Sequence, residues 1–216
     1  HLVVDYLFHV SQNEPNVKII EYGKTYEGRP LMLAFISSVD NMDKLEQIRK
    51  DNLTRAGIIK GSTKTKKVGI VWLSYNVHGN EANSTEAAMK TLHALADKSN
   101  ITTQEWLKNT VVIIDPSVNP DGRDRYANWY RMTANRWPDA DPLGREHMEP
   151  WPGGRTNHYY FDLNRDWAWQ TQIESQQRII KYNEWLPHIH VDFHEQGYNS
   201  PYFFAPAAKP LHQYIT

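Results

Sequence analysis

Two potential metal ligands, His78 and Glu81, lie three residues apart. They follow a nearly continuous apolar run, residues 68–75, which is typical of a strand buried on both faces of a sheet. A helix is predicted after them, so both side chains can emerge at one end of the sheet, where ligand sites gather in α/β proteins. A histidine and a glutamate at this spacing are frequent by chance, and most isolated histidines are structural. A metal site therefore requires a third ligand.

The strongest candidate for that ligand is His194, which follows a predicted strand over residues 189–193. Because side chains alternate between the two faces of a strand, the four polar residues of segment 188–194 share one face. Among them, His194 stands at the terminus that faces the loop layer, and the polar residues 195–197 come directly after it.

Four motifs occur in a fixed order along the chain: His78-x-x-Glu81, Asn119-Pro120-Asp121-Gly122, Asp162-Leu163-Asn164-Arg165 and the distant strand-end His194. In this order they resemble the zinc carboxypeptidases of the carboxypeptidase A/B type, and the resemblance extends over about residues 16–205. It implies a zinc-dependent enzyme that hydrolyses C-terminal peptide bonds of peptides or proteins with a free C-terminus. It also implies the phosphorylase/hydrolase-like fold of that family.

The resemblance assigns His78, Glu81 and His194 as ligands of Zn²⁺. Two histidines and one carboxylate leave a fourth position for water, as in catalytic rather than structural zinc sites. The ion lowers the pKa of that water to about 7 and polarises the scissile carbonyl. The chain has no cysteine, so thiolate ligands and thiolate catalysis are excluded.

Further site residues follow from the same resemblance. Asp162 matches the residue that accepts a hydrogen bond from a liganding histidine and thereby fixes the tautomer of that ring. Asn164 and Arg165 match the pair that holds the terminal carboxylate of the substrate, for which the planar guanidinium offers a bidentate fork.

The family also has an arginine, between the NPDG motif and this pair, that stabilises the oxyanion of the tetrahedral intermediate. Arg125, Arg131 and Arg136 all lie in that stretch, and we prefer Arg131. The NPDG residues themselves are predicted to shape a loop, because Pro-Asp-Gly is typical of turns.

Two family residues have no match, namely the catalytic glutamate on a later strand and the substrate-binding tyrosine on a mobile loop. Glu195 adjoins a ligand, but neighbouring strand residues point to opposite faces, which disfavours it as the base. We therefore expect residues 1–216 to be a single domain that is C-terminally incomplete, with poor peptide hydrolysis by this chain alone.

Two alternatives remain open at this point. A zinc N-acyl-amino-acid deacylase of the aspartoacylase type shares the fold, the H-x-x-E pair and a similar D-x-N-R motif. A catalytically inactive module that binds metal or peptide is the non-enzyme alternative. Turnover of hippuryl-type peptides against N-acyl aspartate would separate the two enzymes.

Several elements must position these residues. Periodicity predicts helices over residues 2–12, 41–55, 83–96 and 169–185, and strands over 17–22, 31–36, 68–75, 111–115, 189–193 and 202–205. Residues 116–166 are rich in proline, and we expect ordered loops that build the site. Helices that alternate with buried strands predict an α/β fold, with a central mixed, mostly parallel sheet flanked by helices.

Composition narrows the remaining possibilities. Lysine and arginine total 24 against 25 acidic residues, so the charge balance indicates no nucleic-acid surface. No stretch reaches the roughly 18–20 apolar residues of a membrane span. Three glycosylation sequons, at Asn52, Asn83 and Asn100, are compatible with secretion, so we expect an extracytoplasmic or secreted protein.

Overall fold

A computed structural model describes residues 2–197 and 200 of the chain. Its five strands are β1 Val17–Lys24, β2 Pro30–Ile36, β3 Gly69–Tyr75, β4 Thr110–Asp115 and β5 Ile189–Phe193. Its helices are α1 Leu2–Asn13, α2 Val39–Met42, α3 Leu45–Arg55, α4 Asn83–Ala96, α5 Ile101–Leu107, α6 Pro120–Thr133 and α7 Ile173–Trp185. Short 3₁₀ turns occupy Arg145–His147 and Leu163–Arg165.

The strands form one mixed sheet in the order β1-β2-β4-β3-β5. β3 pairs in parallel with both β4 and β5, whereas β2 pairs antiparallel with β1 and β4. Two apolar clusters cover the two faces: one includes residues of α1, α4 and α5, and the other includes residues of α3 and α7. The central strands are therefore buried on both sides, and the predicted α/β fold is confirmed.

This topology brings the candidate site residues to one edge. β3, β4 and β5 run in the same direction, so their carboxyl ends meet at that edge. The H-x-x-E pair follows β3, the NPDG motif follows β4, and His194 follows β5. Among the described residues, no helix combines the length and apolar character needed to cross a membrane.

The predicted strands up to residue 193 are observed with nearly the same bounds, and helix 83–96 is observed as α4. The strand predicted over 202–205 lies outside the described residues. The prediction of a single helix over 41–55 is wrong, because two residues that are not helical separate α2 from α3. Asn41, the first residue of that range and the N-cap expected for the helix, is not a cap: it is buried within α2, and its side chain donates to the carbonyls of Leu107 at 3.1 Å and Lys108 at 3.2 Å.

The prediction of loops throughout residues 116–166 is also wrong in part, because α6 occupies Pro120–Thr133. The NPDG motif begins this helix. Asn119 Oδ1 accepts a hydrogen bond from the Gly122 amide at 2.9 Å, which caps the first turn. Pro120 is well placed at the first helical position, where its missing N–H costs nothing. Helix α5 was not predicted, and α7 begins at Ile173 rather than at residue 169.

Candidate metal centre

His78, Glu81 and His194 converge at the carboxyl edge of the sheet, and one ligand atom from each lies within 4.8 Å of the others. His78 Nδ1 lies 2.8 Å from Glu81 Oε1, and His194 Nδ1 lies 3.4 Å from Glu81 Oε2. Among the residues that the structure describes, this is the one group of three histidine or carboxylate side chains with such spacing.

The outer nitrogens of both rings are held by carboxylates. His78 Nε2 lies 3.2 Å from Asp162 Oδ1, and His194 Nε2 lies 3.0 Å from Asp192 Oδ2. A carboxylate at Nε2 favours the tautomer with its proton there, which leaves the Nδ1 lone pair free for a metal. Asp162 therefore lies where its predicted role requires it, and Asp192, to which the sequence assigned no role, does the same for the other ring.

The donor set fits zinc. Zinc–nitrogen and zinc–oxygen bonds of about 2.0–2.2 Å in a tetrahedral site separate neighbouring donor atoms by roughly 3.3 Å. The two Nδ1 atoms lie 2.8 and 3.4 Å from the two oxygens of the Glu81 carboxylate, and one donor atom from each of the three residues lies within 4.8 Å of the others. Neutral imidazole and ionised carboxylate are also the ligand types that zinc takes in catalytic sites.

Glu81 is kept ionised by its neighbours. Burial by itself raises the pKa of this carboxyl, but its contacts with the His78 ring and the Glu195 amide hold it below its usual range. The Glu195 amide donates to Glu81 Oε2 at 3.0 Å. The Glu195 side chain is engaged elsewhere, since it accepts from the Ser84 amide at 3.1 Å at the first turn of α4. This position is in keeping with the expectation that Glu195 is not the base.

Asp162 contacts both His78 and Arg155, an arginine to which no role was assigned from the sequence. Its Oδ2 accepts hydrogen bonds from Arg155 Nε at 3.2 Å and Nη2 at 3.0 Å. Burial raises the pKa of the Asp162 carboxyl, yet the Asn164 amide and the charges of His78 and Arg155 outweigh it and lower the pKa. The Arg155 side chain is 47% exposed, so its guanidinium is accessible beside the ligand cluster.

The predicted carboxylate anchor lies on the 3₁₀ turn Leu163–Arg165. The Asn164 amide donates to Asp162 Oδ1 at 2.9 Å, which fixes this turn to the carboxylate that contacts His78. Arg165 is exposed, and the one hydrogen bond of its guanidinium to a described residue goes from Nη1 to the Asn164 carbonyl at 3.3 Å. Its guanidinium is thus available to a ligand, and its role in binding stays a prediction.

Residues 3–184 match the family model of zinc carboxypeptidases. The chain belongs to the zinc carboxypeptidase family. His194 lies beyond the matched residues, so its assignment depends on its geometry. The match agrees with the carboxypeptidase interpretation rather than the deacylase alternative.

Solved structures of carboxypeptidases have the same fold. A protein described as carboxypeptidase A from Shewanella denitrificans OS-217 is 19% identical with a TM-score of 0.59, and 89% of this chain covers 38% of that one. A metallo-carboxypeptidase from Burkholderia cenocepacia is 17% identical with a TM-score of 0.58, with coverage of 89% and 39%. Carboxypeptidase A from Helicoverpa armigera is 18% identical with a TM-score of 0.54, with coverage of 90% and 45%. The chain spans less than half the length of these relatives.

Among the described residues, none of the three arginines considered for the oxyanion role forms a hydrogen bond or ion pair with a candidate ligand. Arg125 donates to the carbonyls of Gly153 and Asn157, both at 2.9 Å, and so stabilises the loop that contains these two residues. Arg136 lies over the Trp137 ring at 5.6 Å. Arg131 is exposed on the last turn of α6, and no hydrogen bond or ion pair joins its side chain to another described residue.

The role of Arg131 therefore stays a prediction, and the geometry favours Arg155 instead. Arg155 lies in the same stretch of sequence, between the NPDG motif and Asp162, so its position satisfied the criterion that was applied to the other three. Nothing in the sequence showed that its guanidinium contacts the partner of a metal ligand.

The three loops that carry the family motifs are fixed to one another by a small apolar cluster. It contains Val77 beside the H-x-x-E pair, Val118 before the NPDG motif and Leu163 within the D-x-N-R motif, all fully buried. Close packing at this point limits the relative movement of the loops, because a well-packed interior resists displacement.

The loop after β3, the first turn of α6 and the loop before Arg155 also meet at three glycines with no space for a side chain. A Cβ atom at Gly79 would lie 2.2 Å from the Arg123 amide nitrogen, and one at Gly122 would lie 2.3 Å from the Gly154 carbonyl oxygen. A Cβ at Gly154 would in turn lie 2.5 Å from the Gly122 carbonyl oxygen. Direct backbone contact therefore sets the distance between the metal-ligand loop and the loop that carries Arg155.

Gly154→Ala is expected to destabilise the protein by about 2 kcal/mol or more, because rigid backbone atoms must move to accept the methyl group. Urea unfolding followed by circular dichroism would measure the free energy of unfolding. Gly69→Ala is the matched control, since a Cβ there would meet the Asn109 carbonyl oxygen at an ordinary 3.6 Å. Equal stabilities of the two variants would contradict the packing argument.

Proposed function

We propose that this protein is a zinc-dependent carboxypeptidase that removes the C-terminal residue of peptides or proteins. The observation that carries the proposal is the convergence of His78, Glu81 and His194, with Nδ1 of both rings facing the Glu81 carboxylate. Membership of the zinc carboxypeptidase family supports the same conclusion.

In this proposal His78, Glu81 and His194 hold zinc. When bound, zinc polarises a carbonyl oxygen and lowers the pKa of a water molecule. Asp162 and Asp192 keep the two rings oriented, because each accepts the outer ring N–H. Hydrogen-bonded partners of this kind typically contribute about 10- to 100-fold in metal affinity or activity.

The exposed guanidinium of Arg165 supports this substrate class. A planar guanidinium binds a carboxylate through two parallel hydrogen bonds, which suits the C-terminus of a peptide. Arg165 and Asp162 lie on the same short turn, so a substrate held by Arg165 is kept close to His78. An endopeptidase has no need of such an anchor.

Arg155 is proposed to stabilise the negative charge that develops on the scissile carbonyl oxygen. Arg155→Ala should lower kcat by about 10²- to 10³-fold, the usual cost of one oxyanion donor. Arg131→Ala should leave kcat close to the wild-type value. Zinc content is measured in parallel, because Arg155 also holds Asp162. A large loss with Arg131→Ala and none with Arg155→Ala would restore the original assignment.

The proposed activity is tested on the full-length protein with matched peptides that end in a free carboxylate or in an amide, under initial-rate conditions. The enzyme should hydrolyse the acid much faster than the amide. A chelator should abolish the activity, and added zinc should restore it. Equal turnover of acid and amide would remove the exopeptidase assignment, and no metal-dependent turnover of either would favour an inactive binding module.

We further propose that residues 1–216 belong to a single domain and that the protein is extracytoplasmic. The sequons support this location only weakly. Asn52 is buried, and its side chain donates to the carbonyls of Trp185 at 2.9 Å and Leu186 at 3.0 Å, so it is inaccessible to glycosylation in the folded state. Asn83 is exposed at the start of α4. Cell fractionation would test the compartment.

A further inference from the structure

A row of polar side chains crosses the sheet behind the candidate metal centre. Ser74 of β3 pairs with Asp115 of β4 on one side and with Asp192 of β5 on the other. In parallel strands paired residues point to the same face, and neighbouring strands lie about 4.8 Å apart, so the two carboxylates flank Ser74. Helix α7 packs on this face, since its Tyr182 ring meets the Trp72 ring at 5.3 Å.

Helix α7 brings a cation close to this row, because the charge of Arg178 acts to lower the pKa of Asp115. Arg178 is only 2% exposed, and its guanidinium carbon lies 4.0 Å from the centre of the Trp167 ring. A guanidinium buried to this degree needs carboxylate partners, because an uncompensated buried charge is very costly. Asp115 and Asp192 are the carboxylates of the row beneath it.

Three atoms of this group are buried without a hydrogen-bond partner among the described residues: Asp115 Oδ1, Asp192 Oδ1 and Arg178 Nη1. Two are acceptors and one is a donor, all on groups that carry charge when ionised. Buried polar atoms of this kind are nearly always satisfied in native proteins, by protein or by ordered water. A water molecule can donate twice and still accept a hydrogen bond, so one molecule has the donors and the acceptor that the three atoms require.

The other oxygen of each carboxylate is already engaged. Tyr22 Oη donates to Asp115 Oδ2 at 3.0 Å, and Asp192 Oδ2 lies 3.0 Å from His194 Nε2. Burial raises the pKa of Asp115 to about 7, although Arg178 and the Tyr22 hydroxyl both lower it. A water that donates to the open oxygen would compensate part of that burial cost.

We propose that Arg178, through water that bridges it to Asp115 and Asp192, positions the metal ligand His194. The inference rests on the proposed metal centre. Asp192 can keep Oδ2 on the His194 ring only while its Oδ1 is satisfied, and Arg178 provides the charge that satisfies it. The chain of contacts thus runs from Tyr22 on β1, an edge strand, to the outer nitrogen of His194 beyond the opposite edge strand.

His194 needs such support more than His78 does. Its side chain is 31% exposed and it follows the last residue of β5, whereas the His78 side chain is 4% exposed. Its Nε2 has the Asp192 carboxylate as its one hydrogen-bond partner among the described residues. Loss of that contact would free the ring to rotate and would let its proton move to Nδ1, which must be unprotonated to bind a metal.

The test compares wild type, Arg178→Met and Tyr22→Phe by two measurements. Competition with a chelator gives the zinc dissociation constant, and the ring nitrogen chemical shifts of His194 in metal-free protein at mildly alkaline pH give its tautomer. We expect Arg178→Met to weaken zinc binding about 10-fold or more and to mix the two tautomers. Tyr22→Phe should change the zinc affinity and the tautomer mixture in the same direction, but by a smaller amount. Trp185→Phe, a change in the core on the same helix, is the control. It should lower the thermal stability but change neither the zinc dissociation constant nor the His194 tautomer.

Each outcome decides one hypothesis. If wild type binds no zinc at the three ligands, the proposed function fails, while the tautomer of His194 still tests the positioning by Arg178. If Arg178→Met retains the wild-type tautomer and zinc affinity and only unfolds at a lower temperature, as Trp185→Phe does, the inference is overturned. Should Arg178→Met fail to fold, Arg178→Lys and Tyr22→Phe test the inference instead. A wild-type tautomer and wild-type zinc affinity in both variants would overturn it.

Discussion

His194→Ala is expected to abolish tight zinc binding, whereas His190→Ala, two residues earlier on the same strand, is expected to leave it intact. Zinc binding by four-ligand sites is worth about 10–16 kcal/mol, so each ligand contributes roughly 3 kcal/mol and its loss weakens binding more than about 100-fold. His194 Nδ1 faces the Glu81 carboxylate. His190 Nε2 instead lies 3.0 Å from Ser74 Oγ, within the sheet.

Metal analysis after gel filtration, together with chelator competition, would measure the stoichiometry and affinity. His190→Ala removes a half-buried ring that meets Trp167 at 5.2 Å and Tyr182 at 5.3 Å, so it should lower the thermal stability. The pair of variants therefore separates loss of a ligand from loss of packing. Zinc bound by His194→Ala and lost by His190→Ala would reverse the ligand assignment.

Arg165→Ala is expected to lower kcat/KM for free-acid peptides about 10²-fold or more, since removing one partner of a desolvated, hydrogen-bonded charge pair costs about 2–5 kcal/mol. The effect should be much smaller for the corresponding amides, because they carry no terminal charge. The preference for acid over amide should therefore collapse in the variant. Initial rates on paired substrates would measure it.

Arg145→Ala is a suitable control, because Arg145 is also an exposed arginine on a short 3₁₀ turn. It should retain both the wild-type rate and the preference for acids. An Arg165→Ala variant with an unchanged ratio of acid to amide turnover would show that another residue anchors the substrate.

The elements that the sequence predicted best are those whose pattern reflects burial. β3 and β4 are central strands covered on both faces, so they are continuous apolar runs. Helix α6 was missed because Pro and Gly of the NPDG motif were taken for a turn. Asn119 as N-cap and Pro120 at the first helical position are equally typical of a helix start, and the structure shows that this second interpretation applies.

The candidate ligands could be predicted because spacing, strand ends and motif order are local or ordered features. Asp192 and Arg155 could not be assigned roles in this way, since each acts through a contact that depends on how the chain folds. Arg155 contacts Asp162, and Asp162 contacts His78, which lies 84 positions earlier in the sequence. Likewise, the need for glycine at positions 79, 122 and 154 is visible only in the folded chain, where two loops and the first turn of α6 approach each other.

The most direct test of the account is anomalous diffraction at the zinc absorption edge, from crystals of the zinc-loaded protein. The account predicts one anomalous peak per chain, about 2.0–2.2 Å from His78 Nδ1, His194 Nδ1 and a carboxylate oxygen of Glu81. A peak that lies elsewhere, or coordination that excludes any of these three side chains, would contradict it.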